Sequence, residues 1–239
     1  RCIFNLNPDY LNYWRIYEKN LKERSKIIKD LSAKDFFYIK GKNIEKDLWI
    51  EKIEEKLVNE GIKIFLERIK FSNDFNSLSN NFKNFPRIKI FLTGKIEKLL
   101  SSKNPETVKK IYLQKLLNCR KIDSIKGSIS YGPNKSDLKV MFLKKKKLAE
   151  KCSTGEQKII LISLIIQFCK LMNNKKNYPI LLLDEIVAHL DNKIKLSLFE
   201  ELKTLKNQVW MSGTDVSLFS HIIKDKEVAN LEIEDLLKQ

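Results

Sequence analysis

Apolar residues at Leu11, Trp14, Tyr17, Leu21, Ile28 and Leu31 recur at helical spacing, with charged residues filling the other face. Just ahead stands Asn7-Pro8-Asp9. It is a helix start: Asn as N-cap, Pro in the first turn, an acid at the positive end of the dipole. A second helix-spaced stripe, Leu48, Ile53, Leu57, Ile64 and Ile69, predicts a long helix from about Ile44 to Phe71. Together they predict an antiparallel helical hairpin joined near residues 40–43. Residues 72–84, rich in Ser and Asn, read as a loop, and residues 86–92 alternate weakly, as a short strand or a helix entry would. Asn104-Pro105-Glu106 repeats the cap logic and predicts a helix ending near Arg120.

The pattern then changes. Residues 127–131 and 138–143 are strand-like runs around a turn at Gly132-Pro133-Asn134-Lys135. Beyond Lys158 comes an apolar helix, then Ile180 to Leu183 as a fully buried parallel strand, a helix from about Lys193 to Leu205, and a short strand at Val209-Trp210-Met211. Alternating strands and helices predict a mostly parallel sheet. The expected organisation is a helical lobe over residues 1–126 and an α/β lobe over residues 127–239.

Charge alters this picture. The 46 Lys and Arg outnumber the 30 Asp and Glu, giving a formal net charge of +16. A surplus of that sign suits a polyanionic partner such as nucleic acid or a membrane surface. Nearly all of it is Lys spread along the chain, so compositional bias accounts for part of it. Cysteine and histidine exclude other classes. Cys2, Cys119, Cys152 and Cys169 form no CxxC pair, and there are only two histidines. Neither a zinc site at normal ligand spacing nor a disulfide framework is expected, and a reducing, cytoplasmic setting fits. The longest apolar run, residues 159–168, is too short to span a bilayer. Arg1 is not an initiator methionine and no signal peptide follows it, so the chain is expected to begin inside a longer protein.

The chemistry concentrates in the second half. Leu181-Leu182-Leu183-Asp184-Glu185 is an apolar strand delivering two acids to the carboxyl end of a sheet, where open α/β sheets bind ligands. Asp184 is placed to hold Mg²⁺ as a Walker B acid does, and Glu185 to orient and deprotonate an attacking water. Both acids also fit a plain N-cap of the following helix. Ser153-Thr154-Gly155-Glu156-Gln157 opens directly into the apolar helix. Small residues let a backbone approach a phosphate, and a helix start offers free N–H groups. Ser153 with Glu156 three residues on is equally a capping box. His189-Leu190-Asp191 follows Asp184 by one short turn, and Ser212-Gly213-Thr214-Asp215 follows the last strand, where a strand-ending turn also fits. The densest charge run, Lys144-Lys145-Lys146-Lys147, fits either a phosphate-contacting or a simply solvated turn.

Taken in order, these segments resemble the signature, Walker B, D-loop and switch of an ABC-type ATPase head. More narrowly, residues 132–215 resemble the RecF family. Gly132-Pro133-Asn134-Lys135-Ser136-Asp137-Leu138 is similar to that family's Gly-Pro-His-Arg-x-Asp-Leu. Residues 152–158, 181–191 and 210–215 are similar to its signature, Walker B with D-loop, and terminal Gly-Thr-Asp segments. Phe4-Asn5-Leu6-Asn7-Pro8 and Tyr17-Glu18-Lys19 resemble the start of its helical lobe. The resemblance implies an α/β fold, the C-terminal half of an ABC-type P-loop ATPase head with an appended α-helical lobe. It also implies ATP and Mg²⁺ as cofactors, binding of single- and double-stranded DNA, and ATP-driven homodimerisation. Action with RecO and RecR to load RecA at gaps, and support of replication restart and the SOS response, are likewise implied by the resemblance alone. Two departures stand out. Asn134 replaces the family's His, and no Gly-x-x-x-x-Gly-Lys-Ser/Thr phosphate loop occurs in these residues. Two other readings stay open: a non-enzymatic DNA-binding or scaffold fragment without nucleotide turnover, and an ABC head from another system.

Overall fold

Asn7 begins the helical part as its chemistry requires. Its side-chain Oδ1 accepts the Asp9 N–H at 3.0 Å, closing the short helix α1 (Cys2–Leu6) and opening α2 (Asp9–Asp30). The computed structural model describes residues 2–30, 44–81 and 85–232. The expected hairpin joint at residues 40–43 lies outside the described residues. The second stripe becomes α3 (Ile44–Ser77), followed by a 3-10 turn at Leu78–Asn81. Residues 72–77, expected as loop, are therefore helix. Their polar composition is overridden by packing: Phe75 is buried, and the Ser72 hydroxyl is satisfied by the Ile90 carbonyl at 3.3 Å. Strand β1 (Ile88–Thr93) leads into α4 (Lys95–Leu100) and α5 (Pro105–Lys126). Asn104 caps α5 through the Thr107 N–H at 2.8 Å. The helix runs past Arg120 to Lys126 and ends at Gly127, whose φ of 63° supplies the left-handed cap. Residues 127–131 are irregular chain, not the expected strand.

The chain forms two compact units, Arg1–Asp74 with Ile90–Lys139, and Phe75–Lys89 with Val140–Gln239. The core of the first gathers Tyr17, Leu57, Ile64, Phe65, Tyr112 and Leu116, all at most 1% exposed. Each large apolar side chain so buried contributes about 1.5–3 kcal/mol. Inside this unit lies an ionic network. Arg24, fully buried, donates Nε to Glu54 at 2.8 Å, Nη1 to Asp123 at 2.7 Å and Nη2 to the Leu116 carbonyl at 3.0 Å. Arg120 adds a second partner to Glu54 at 2.6 Å, and Ser130 one to Asp123 at 2.6 Å. Such pairing offsets the cost of taking these charges out of water. The charged residues Arg24, Glu54, Arg120 and Asp123 belong to α2, α3 and α5, so the charges expected on solvent faces include the ones that tie three helices together.

The Gly132 turn is fixed by the same unit. Gly132 has φ +150°, and an added Cβ would stand 2.2 Å from the Tyr17 hydroxyl and 3.0 Å from that of Tyr112. Arg68 donates Nη1 to the Pro133 carbonyl at 2.6 Å and Nε to the Tyr10 hydroxyl at 2.9 Å. Burial pushes the Tyr17 phenol up to about 12 and Tyr112 well above the usual tyrosine range, so both stay neutral hydrogen-bonding groups.

Strand β2 (Asp137–Phe142) turns through the lysine run into β3 (Lys147–Leu148), antiparallel with Met141 opposite Leu148. Strand order in this sheet is β1-β2-β3. Helix α6 (Thr154–Asn174) buries Ile162 and Ile166 against β4 (Leu181–Leu183), α7 (Asn192–Lys203) and their neighbours. Its polar core residues are paired, Ser163 to the Pro86 carbonyl at 2.9 Å and Gln167 to the Phe75 carbonyl at 2.5 Å. Strands β4 and β5 (Val209–Met211) are parallel, with Leu182 opposite Trp210. The expectation of a fully buried strand does not hold. Leu181 and Leu183 are buried, but Leu182 is 72% exposed and Trp210 49%. Only one face of this two-stranded sheet is covered. No helix among the described residues is long and apolar enough to cross a membrane.

Candidate functional site

Parallel pairing puts the carboxyl ends of β4 and β5 side by side, and that juxtaposition builds the acidic centre. The Ser212 N–H donates to the Leu183 carbonyl at 3.1 Å, extending the ladder by one residue. The Ser212 hydroxyl donates to Asp184 Oδ1 and accepts the Glu185 N–H at 3.0 Å. One serine at the end of β5 thus sets both acids at the end of β4. Asp184 and Glu185 are exposed, and Glu185 sits at φ 50°, a left-handed conformation that a non-glycine residue adopts at a cost. Among the described residues Asp184 Oδ2 has no hydrogen-bond partner, so one carboxylate oxygen stays open at the strand end. An open carboxylate oxygen is the kind of ligand Mg²⁺ takes, since that ion prefers few protein ligands and retains waters. Among the described residues, no cluster of three or more His, Cys, Asp or Glu could hold a metal by itself.

The segments after each strand act as caps. Val187–His189 is a 3-10 turn, Leu190 is buried, and Asp191 caps α7 through the Ile194 N–H at 2.9 Å. Gly213 and Thr214 are exposed, and a Cβ on Gly213 would press to 2.8 Å from Phe219. Asp215 accepts the Ser217 N–H at 2.7 Å, which holds its carboxyl below the usual range. The turns after β4 and β5 pack against each other.

The Ser153 segment is a separate group. Ser153 Oγ accepts the Glu156 N–H at 3.4 Å, and Glu156 Oε2 accepts the Ser153 N–H at 3.0 Å: the capping box is complete. Lys145 pairs with the other Glu156 oxygen. This ammonium, followed by the Ser153 N–H, lowers the Glu156 carboxyl to about 2. Gln157 does structural work, donating to the carbonyls of Ala149 at 3.0 Å and Cys152 at 3.3 Å. Ser153, Thr154 and Gly155 are exposed, and a Cβ on Gly155 would meet nothing within 4 Å. No hydrogen bond or ion pair joins Ser153, Thr154, Gly155, Glu156 or Gln157 to Asp184 or Glu185.

Within the lysine run, Lys146 takes φ 52° at the hairpin turn. Lys144, Lys146 and Lys147 are exposed, while Lys145 is committed to Glu156. Sequence reasoning placed Ser212 in a terminal turn but missed it as the anchor of both acids. Its only signal was a small hydroxyl residue ending a strand. The Lys145–Glu156 pair was missed because the two residues are chemically ordinary and distant in sequence.

The chain matches no protein-family model. It is similar to the DNA replication and repair protein RecF of Mesorhizobium japonicum, 31% identical over 227 residues that cover 93% of this chain and 57% of the relative. The same protein of Rickettsia canadensis is 31% identical over 97% of this chain and 61% of its own length, and that of Rickettsia rickettsii 33% identical over 90% and 57%. Two solved structures of the recombination mediator protein RecF share the fold. One, with ATP, has a TM-score of 0.68 at 20% identity, covering 90% of this chain and 56% of that one. The other, with ATPrS, has a TM-score of 0.66 at 19% identity, covering 89% and 56%. This chain thus spans 57–61% of the length of these curated relatives. Over most of its own length the chain is thus similar in sequence to RecF, and it shares an α/β fold with solved RecF structures.

Proposed function

We propose that this chain is the C-terminal part of a RecF-type ABC ATPase head that works in DNA replication and repair. The observation that carries this reading is the Ser212 anchor: one serine holds Asp184 and Glu185 at the paired ends of two parallel strands. On this reading Asp184 holds Mg²⁺, which would screen the charge of the nucleotide phosphates. Glu185 orients a water and takes its proton, a role worth about 10²–10⁴-fold in rate. The exposed signature, Ser153 to Gln157, serves the ATP of a second subunit. Its support is that nothing ties it to the acids, and that Gly155 opens on free space that an approaching phosphate would use. His189-Leu190-Asp191 then lies at the dimer seam, and Gly213-Thr214-Asp215 near the γ-phosphate. The bare sheet face of Ile180, Leu182 and Trp210 is where the remainder of a complete head, with its phosphate loop, would pack. ATP-driven homodimerisation, binding of single- and double-stranded DNA through Lys144, Lys146 and Lys147, work with RecO and RecR in gap repair and the SOS response, and a cytoplasmic location complete the proposal.

A second reading rests on one observation: these residues hold no Gly-x-x-x-x-Gly-Lys-Ser/Thr. A scaffold without turnover would look the same locally. Glu185→Gln in the protein with its complete head separates the two. The expected result is ATP retained, turnover lowered about 10²-fold or more, and a dimer that persists in sedimentation when ATP is present. Turnover equal to wild type would remove Glu185 from the role of base, and absence of any turnover in wild type would favour the scaffold.

A further inference from the structure

Glu97 is the most anomalous polar group of the first unit. It is 6% exposed, and its Oε1 is buried with no hydrogen-bond partner. Leaving a buried acceptor unsatisfied is costly, more so when it is charged, so such a group in a native fold calls for an explanation. The site is also built to hold it. A Cβ on Gly94 would stand 2.0 Å from Glu97 Oε2, so the carboxylate lies directly against the Gly94 backbone.

Glu97 lines a cavity of about 320 Å³ between the β1–α4 turn and the Gly132 loop. Thr93, Ser130 and Gly132 form part of its wall, and the exposed Lys95, Lys98 and Lys135 stand around it. The wall is rigid, because the Gly132 turn is pinned by Tyr17, Tyr112 and Arg68. The lysine charge is held in place too: the Lys95 ammonium lies 4.9 Å from the centre of the Tyr131 ring.

We propose that this cavity binds a single nucleotide, its base N–H donors on Glu97 and its phosphate on Lys95, Lys98 and Lys135. The two halves of the argument select one chemistry. A buried carboxylate calls for N–H donors, as a carboxylate reading a cytosine amine does. The cationic rim calls for an anion attached to that donor. A nucleotide carries both at opposite ends. An arginine from a protein partner satisfies the carboxylate but meets three lysines. Inorganic phosphate satisfies the lysines but leaves Glu97 bare. The volume lies at the lower end for small-molecule pockets and admits one base. Guanine, with two adjacent N–H donors on one edge, fits a carboxylate best. The site lies wholly within the first unit and does not depend on the ATPase reading.

The test is titration calorimetry on the full chain with dGMP, dTMP, inorganic phosphate and N-acetyl-arginine amide, and with single-stranded oligonucleotides carrying one G or none. The expected result is dGMP binding about tenfold tighter than dTMP and phosphate, as one charge-assisted hydrogen bond allows. Glu97→Gln should erase that preference while thermal melting confirms an intact fold. Lys135→Glu, at an exposed position, should weaken dGMP and dTMP about equally. A site for free nucleotide holds dGMP as tightly as the G-bearing strand, and a site for an unpaired base in a strand holds the strand more tightly. Either result supports the assignment. Equal binding of dGMP and phosphate, an unchanged base preference in Glu97→Gln, or tighter binding of the arginine amide would overturn it.

Discussion

Two glycines of this chain do opposite things, and the difference is measurable. Gly132 is buried at φ +150° with the Tyr17 hydroxyl 2.2 Å from where a Cβ would go, whereas Gly155 is exposed with nothing within 4 Å. Gly132→Ala combines backbone strain with overpacking and should lower unfolding free energy by about 1–3 kcal/mol in urea titrations. Gly155→Ala should leave it unchanged or raise it by up to about 1 kcal/mol, because alanine is the better helix former. Equal losses at both positions would show that the signature segment is held more tightly than its open surroundings indicate. The turn at Gly132-Pro133 was legible from residue types alone. What it rests on was not, because Tyr17 and Tyr112 reach it from helices far away in sequence. The same holds for Ser212: a strand-ending serine is ordinary until a parallel partner sets Asp184 beside it.

At the scale of elements, what is local was legible and what is long-range was not. The caps at Asn7, Asn104 and Ser153 each use residues within three positions, so sequence suffices to place them. The helix expected to stop near Arg120 runs on to Lys126 because Asp123 is anchored inside by Arg24. Nothing near Asp123 in sequence announces that partner. The start of α6 adds a long-range piece to a local cap, the pairing of Lys145 with Glu156. A carboxyl lowered to about 2 contributes its stabilisation above the ordinary glutamate range and loses it as pH falls through about 2. Lys145→Gln removes the larger cause and leaves the Ser153 N–H. The Glu156 carboxyl midpoint, followed by ¹³C NMR, should therefore rise toward the ordinary glutamate range without reaching it. A midpoint that stays near 2 would assign the whole effect to the helix start.

For the whole molecule the open question is where the +16 acts. Charge spread evenly over a surface and charge gathered at one contact both attract DNA, but they respond differently to local change. Binding through phosphates releases counterions, so the logarithm of affinity falls linearly with the logarithm of salt, by about 0.9 per phosphate neutralised on duplex and about 0.7 on single strands. Lys145 already faces Glu156, which leaves Lys144, Lys146 and Lys147 as the exposed ammonium groups of the hairpin. Under the proposed reading, changing these three together to Gln should lower the salt slope on duplex by about 2–3. The loss should be sequence-independent, since phosphates carry no base identity. An unchanged slope would make the hairpin a solvated turn and return the excess charge to the general surface. That outcome would leave the acidic centre untouched, because no hydrogen bond or ion pair joins Asp184, Glu185 or Ser212 to the lysine run.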